Sequence, residues 1–151
     1  WHYTTVDRLR DILRDGVIKT TGAGVCLGER PAVWFSRNQS WEMTASKGML
    51  EPCGRQRVMT FVEMVEHGIA RIGVSRSVAP VGWEEFREIS RISSEMARGL
   101  ARAAKDVGAS QRDWYVSFEP VREVDWRSVQ MYQSWKWTEI LVRANDAIGP
   151  C

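Results

Sequence analysis

Between Val6 and Asp15 the apolar residues Val6, Leu9, Ile12 and Leu13 recur at helical spacing, with Thr4 or Thr5 ahead as N-cap and Gly16 behind as a stop. The pattern predicts a short amphipathic helix. Trp1, His2 and Tyr3 read as the end of a β-strand running into it, because aromatic residues favour strands and the Thr pair marks the turn. From Thr20 to Pro31 the residues Gly22, Gly24, Gly28 and Pro31 interrupt every period and predict a loop, after which Ala32 to Ser36 reads as a second strand. Trp41 to Arg55 carries no regular period, whereas the loose alternation of Gln56 to Val65 predicts a strand and Ile69 to Val74 another. After Pro80 and Gly82, the residues Phe86, Ile89, Ile92, Met96, Leu100 and Val107 recur at helical spacing, with Glu84 and Glu85 in the first turn and Lys105 before Gly108. One long helix is expected there. Strands follow at Trp114 to Phe118 and roughly Trp135 to Val142, separated by Pro120 and an expected helical turn around Asp125 to Gln130.

Strands interleaved irregularly with one short N-terminal and one long central helix indicate an α+β fold rather than a regular βαβ series. No GxGxxG follows a strand, which removes the usual dinucleotide-fold reading. With 151 residues, 44% of them hydrophobic, the chain is expected to build one core, so residues 1–151 are read as a single domain. The 21 Lys and Arg against 19 Asp and Glu leave +2, too little to announce a nucleic-acid partner by bulk charge, and a local basic groove stays open. Three cysteines, Cys26, Cys53 and Cys151, have no CxxC spacing, and their odd number argues against a closed disulfide framework. They are read as structural, and a reducing, cytoplasmic home is expected. No stretch approaches the roughly 18 unbroken apolar residues of a membrane helix, and no basic-then-apolar leader precedes Trp1, so neither membrane nor targeting signal is expected.

His2 and His67 are the only histidines, which excludes a multi-His metal centre within this chain. Glu63, Glu66 and His67 lack HExxH spacing and read as a solvated turn before Gly68, so no metal is expected. Nothing local marks a cysteine as reactive, and Gly22 to Gly28 lacks the GK[ST] ending of a phosphate-binding loop. Three strand-borne pieces remain: His2-Tyr3-Thr4, Val33-Trp34-Phe35-Ser36 and Trp137-Thr138-Glu139 running into Ile140-Leu141-Val142. In this order and at these distances they resemble the His-aromatic-Glu pattern of ADP-ribosyltransferases of the diphtheria-toxin and poly-ADP-ribose-polymerase branch. The opening WHYTTVDRLRDILRDGVI is similar to that family's strand ending in His-x-Thr, then a short helix and an Ile-Leu-x-x-Gly stop; AVWFS is similar to its second strand and WTEILV to its Glu-bearing last one. The resemblance spans nearly the whole chain and is carried by a handful of positions.

The resemblance implies a split β-sheet core, NAD as substrate without a metal, and transfer of ADP-ribose to a macromolecule. Cleavage of the nicotinamide–ribose bond has oxocarbenium character, so a carboxylate, implied to be Glu139, would stabilise the developing positive charge and fix a ribose hydroxyl. His2 would hold the other ribose, Tyr3 would offer backbone groups to the nicotinamide amide, and Thr4 and Ser36 short hydroxyls. Trp34 or Phe35 would stack on the nicotinamide ring; adjacent strand residues face opposite ways, so only one of them can do so from a regular strand. Arg37, Arg55 and Arg57 are open to a pyrophosphate contact or to simple solvation. Glu139 itself, flanked by Trp135, Trp137, Ile140, Leu141 and Val142, is an awkward strand residue unless it faces a polar cleft or a partner.

Trp137 stands two positions before Glu139 where arginine-modifying relatives carry Glu or Gln, which disfavours protein arginine as acceptor and leaves nucleic acid or another protein group open. Small single-domain members of this kind are often bacterial toxins or phage-defence effectors, so an antitoxin or immunity protein is an implied partner. Arg87, Arg91, Arg98, Arg102 and Lys105 would form one basic flank or a solvated face of the long helix. Two rival functions stay open: an RNA 2′-phosphotransferase type, which shares His-x-Thr and does not depend on the late Glu, and a non-catalytic module recognising a partner through a surface built from the eight Trp.

Overall fold

Thr5 closes β1 (His2–Thr5) and opens α1 (Val6–Asp15), its hydroxyl accepting the Arg8 amide at 3.4 Å, and Gly16 stops the helix at φ 65°. The computed structural model describes residues 1–22 and 25–142, the last two by backbone alone; Gly24 of the expected loop and Cys151 lie outside the described residues. Next come β2 (Val17–Ile18), β3 (Val33–Ser36), a 3₁₀ turn at Met43–Ala45, β4 (Gly48–Leu50) and β5 (Gln56–Val58). They are followed by α2 (Phe61–His67), β6 (Ile69–Val74), β7 (Val81–Gly82), α3 (Trp83–Ile89) and α4 (Ser94–Asp106). β8 (Trp114–Ser117), β9 (Val121–Arg122), β10 (Trp126–Gln133) and β11 (Lys136–Val142) complete the described order. The chain is mixed α+β, with four α-helices and small antiparallel sheets among the described residues. None of those helices is long and apolar enough to cross a membrane.

Several elements differ from the sequence expectations, each for a local reason. The strand expected over 56–65 ends at Val58, because Thr60 and Glu63 form a capping box, each side chain taking the other's backbone amide, and start α2. Glu63, Glu66 and His67 therefore belong to a helix rather than a solvated turn. The single long helix is two helices: Arg91 sits at φ 59°, and Ser93 accepts the Met96 amide as a new N-cap. The carbonyl of buried Ser90, released from the helix at the break, is taken by the Arg30 amide at 2.8 Å. Arg87 thus lies on a different helix from Arg98, Arg102 and Lys105, so the five residues are not one face of a single long helix. In place of a helical turn around 125–130, a 3₁₀ turn at Glu123–Asp125 leads into β10, where Arg127 is an extra residue against β6 and disturbs the alternation that marks a strand; a second bulge, at Ile140, lies on β11. Its hairpin to β11 turns on Ser134 and Trp135, at φ 50° and 64°, so the last strand begins at Lys136 rather than Trp135.

The larger sheet has the order β1-β6-β10-β11 and the smaller β3-β8-β7, with β2-β9 and β4-β5 as separate pairs. On one face of the larger sheet, Leu9 of α1 meets Ala70, Ile72 and Val129; on the other, Tyr3 and Ile69 pack with Trp41 and with Met64 of α2. Phe86 of α3 packs on Ala32 and Val116 at the smaller sheet. The two sheets meet where Trp1 and Ser36 exchange backbone hydrogen bonds of 2.7 and 2.8 Å. Gly73 makes that corner possible, since a Cβ there would stand 2.8 Å from the Trp1 ring. Of the eight Trp, Trp41, Trp114 and Trp126 are buried, Trp1, Trp34, Trp83 and Trp137 are half-buried and Trp135 is exposed.

Candidate functional site

A cavity of about 590 Å³ opens beside the Trp1–Ser36 corner, within the range of about 300–1,000 Å³ usual for small-molecule sites. His2 and Tyr3 of β1 and Trp34, Phe35 and Ser36 of β3 line it, together with Leu100 and Ala103 of α4 and Val107 just after it. The fold thus brings together five of the seven residues that the sequence resemblance implies. Thr4 is not among the lining residues; it is buried farther along β1, paired with Ala70. Both Trp34 and Phe35 reach the lining. Phe35 sets its edge against the His2 ring at 5.8 Å, whereas Trp34 meets Phe86 at 4.6 Å and Trp114 at 5.8 Å.

His2 is half-buried, and its Nδ1 stands 2.9 Å from the Trp34 carbonyl oxygen. A carbonyl only accepts, so Nδ1 carries the hydrogen, and a neutral ring then keeps an acceptor lone pair on Nε2. Burial lowers the His2 pKa from its ordinary 6.5 and so favours this neutral form; the Trp34 hydrogen bond opposes it. The sign follows: the folded value is depressed, so the contribution of His2 to stability is complete above about pH 6.5 and is lost as pH falls through the folded value. A His2→Asn protein is expected to show a flatter dependence of melting temperature on pH below 6.5 than wild type. Parallel profiles would remove His2 as the titrating group.

The carboxylate of the cavity is Glu42, which sequence reasoning missed. It is 6% exposed; Ser36 Oγ donates to its Oε2 at 2.7 Å, and Thr44 donates to its Oε1 through both backbone N (3.2 Å) and Oγ1 (2.6 Å). Hydroxyls and an amide hold it, and no salt bridge to a Lys, Arg or His reaches it among the described residues. A buried carboxylate without a countercharge is costly by itself and favourable toward a cationic ligand. Trp114 also lines the cavity, and its buried Nε1 donor has no hydrogen-bond partner among the described residues. Buried donors are rarely left unpaired, and an acceptor from water or a ligand would complete this one. Lys47 supplies an exposed cation on the same lining.

Glu139 lies elsewhere. Register aligns Tyr3, Arg71, Gln130 and Glu139 across the four strands, on the opposite face of β1 from His2. Glu139 Oε1 accepts the Val129 amide at 2.9 Å, beside the bulge, and Oε2 accepts Ser128 Oγ at 2.7 Å and Gln130 Nε2 at 2.9 Å. Arg71, 6% exposed, donates through Nε to Gln130 at 2.7 Å and lies between the rings of Trp1 (3.8 Å) and Trp137 (4.2 Å). The row ends on the loop after β3, where three successive carbonyls accept from the sheet: Asn38 from Tyr3 Oη at 2.5 Å, Gln39 from Arg71 at 2.5 Å and Ser40 from Trp137 Nε1 at 2.9 Å. Burial raises the Tyr3 pKa and so keeps the phenol a donor, and Arg71 opposes the shift. The polar partner that an ionised residue in so apolar a strand requires is this row, and the segment it clamps leads directly into Glu42.

Arg57 engages Glu51 and Glu63, and Arg37 pairs with Asp113 at 2.6 Å; neither lines the cavity, nor does Arg55. Cys26 and Cys53, read as structural, are exposed and not disulfide-bonded. Among the described residues no group of three or more His, Cys, Asp or Glu stands close enough to hold a metal ion. No protein-family model, curated protein or solved structure matches the chain.

Proposed function

We propose that this chain is an NAD-dependent ADP-ribosyltransferase with a split-sheet core of the kind the sequence resembles, and that the cavity between β1 and β3 receives the nicotinamide end of NAD. The observation that carries the reading is that cavity: His2, Tyr3, Trp34, Phe35 and Ser36 share it with an uncompensated carboxylate, Glu42, and an unpaired indole donor on Trp114. Each feature suits one part of the substrate. The pyridinium is cationic and planar, matching Glu42 and the aromatic walls; its carboxamide oxygen is an acceptor for Trp114 Nε1; a ribose hydroxyl donates to His2 Nε2; and a phosphate suits Lys47. In the reaction the bond from ribose C1 to the nicotinamide nitrogen breaks, its electron pair leaving with neutral nicotinamide. The acceptor forms a bond to C1 and gives up its proton. Positive charge moves from the ring to the ribose, and Glu42 is the carboxylate of the cavity able to stabilise it.

Glu139's place outside the cavity favours a second reading, the RNA 2′-phosphotransferase type, which does not depend on a late Glu. Both readings are tested by nicotinamide release from NAD, with and without protein, nucleic acid and RNA bearing a 2′-phosphate. Release that requires the 2′-phosphate selects the second; release with any other acceptor selects the first. Thermal shift supplies a binding readout, because NAD at ten times its Kd stabilises by about 1.4 kcal/mol. Trp114→Phe keeps an aromatic side chain but removes the N–H with the pyrrole half of the indole; with a melting-temperature check on folding, it is expected to weaken NAD binding about tenfold. No release and no shift in wild type would end both readings.

A further inference from the structure

A second depression lies on the other side of the Trp1–Ser36 corner, with a volume of about 450 Å³, and shares Trp1, Phe35 and Ser36 with the first cavity. Arg37, Arg76 and Arg127 line it together with the hydroxyls of Ser75 and Ser128, and no Asp or Glu is among its lining residues. Two features of the fold arrange these arginines. Arg127 is the extra residue of the β10 bulge, where Trp126 pairs with Val74 and Ser128 with Gly73; the bulge lets Arg127 and Ser128 line one groove, which neighbours on a regular strand cannot do. Arg76 lies flat on the Tyr115 ring at 3.9 Å with NH1 donating to the Ala79 carbonyl, so its guanidinium is fixed before any ligand arrives. Arg37 stands beside it, its Nε paired with Asp113.

We propose that this groove binds single-stranded nucleic acid, the arginines contacting successive phosphates and the half-buried rings of Trp1 and Tyr115, which line the groove, meeting bases at their accessible edges. Guanidinium groups matched to phosphate, with aromatic rings between them, are the elements of single-strand recognition. The inference rests on the transferase reading for its consequence: a strand held here passes the corner shared with the nicotinamide cavity, which makes nucleic acid the acceptor class.

The test is fluorescence anisotropy of labelled 12-nucleotide RNA and DNA of one sequence, the corresponding duplex, and polyglutamate, titrated without NAD over a range of salt. Both single strands are expected to bind more tightly than the duplex or polyglutamate, and a preference between them names RNA or DNA. Arg127→Glu, on the exposed bulge, is expected to weaken binding at least tenfold, Arg127→Lys to restore most of it, and Arg127→Ala to reduce the slope of log K against log salt by about 0.7. Melting temperature checks that each variant is folded, and Arg76→Glu is a second probe of the groove. Absence of oligonucleotide binding, equal binding of polyglutamate, or no loss in folded Arg127→Glu and Arg76→Glu overturns the inference. Nicotinamide release is assayed separately: release without oligonucleotide binding keeps the transferase and removes the groove, whereas binding without release keeps the groove and removes the transferase.

Discussion

A Glu42→Gln protein is expected to release nicotinamide from NAD about 100- to 1,000-fold more slowly than wild type while remaining folded, the scale on which removal of one preorganised electrostatic group acts. The substitution preserves shape and leaves an amide able to accept from Thr44 and donate toward Ser36 Oγ, so the 3₁₀ turn that Glu42 caps survives. What it removes is the charge. In the ground state that charge faces a pyridinium and in the transition state a ribose cation, so the loss is expected mainly in kcat if the second interaction is the stronger. Glu139→Gln is the matched control. Its carboxylate accepts three hydrogen bonds within the larger sheet, and an amide in its place loses acceptor capacity, so stability is expected to fall by about 1–3 kcal/mol. Nicotinamide release then falls only as far as the loop leading to Glu42 loosens. The reverse outcome, with Glu139→Gln inactive and Glu42→Gln near wild type, would move the chemistry out of the cavity and onto the face that carries Arg71.

Arg71→Ala is expected to cost about 3–5 kcal/mol of folding stability, an amount typical of breaking a buried charged network by removing one member. The guanidinium donates to Gln130 and to the Gln39 carbonyl, reaches Tyr3 Oη at 3.4 Å, and fills the space between two indoles. Alanine leaves Gln130 and the Gln39 carbonyl without their donor and opens a void between Trp1 and Trp137. Burial lowers the Arg71 pKa, opposed by Tyr3 and Glu139, so the native state itself carries a desolvation cost that the partners offset. Arg71→Met fills most of the void and separates packing from charge. Arg71→Lys lacks the planar fork that lies between rings while donating in several directions, and is expected to recover little. For a chain of this length the loss corresponds to roughly 10 °C in Tm. A urea midpoint unchanged in Arg71→Ala would show that the row is decoration on a sheet that stands without it.

Much of the α+β framework was legible because its determinants are local. Thr5, the apolar stripe Val6-Leu9-Ile12 and Gly16 lie within one short segment and specify α1 completely, and Ile69–Val74 is a strand by composition alone. The elements misread are those in which two local signals compete. Thr60 with Glu63 is a helix-start pattern embedded in a loose alternation, and Ser93 starts a helix inside a periodicity that continues across the break. β10 was hidden by its bulge at Arg127. The candidate site was half legible for a similar reason: His2 and the Trp34-Phe35-Ser36 run sit on short strands whose ends touch, but Glu42 and Trp114 enter the cavity through tertiary packing that no spacing encodes. Glu139's direction depends on cross-strand register and on a bulge, both set by contacts between segments distant in sequence.

Gly73 offers only backbone to the arginine groove, yet its missing side chain is what lets the Trp1 ring lie against β6. Trp1 in turn covers Arg71 and forms part of the wall of both depressions. A genetic screen for loss of function would therefore return Gly73→Ala alongside substitutions in the cavity and in the arginine groove, with both phenotypes in one allele. The same geometry sets the route of suppression: a smaller ring at position 1, as in Trp1→Phe, relieves the clash, whereas a second change in either depression alone does not.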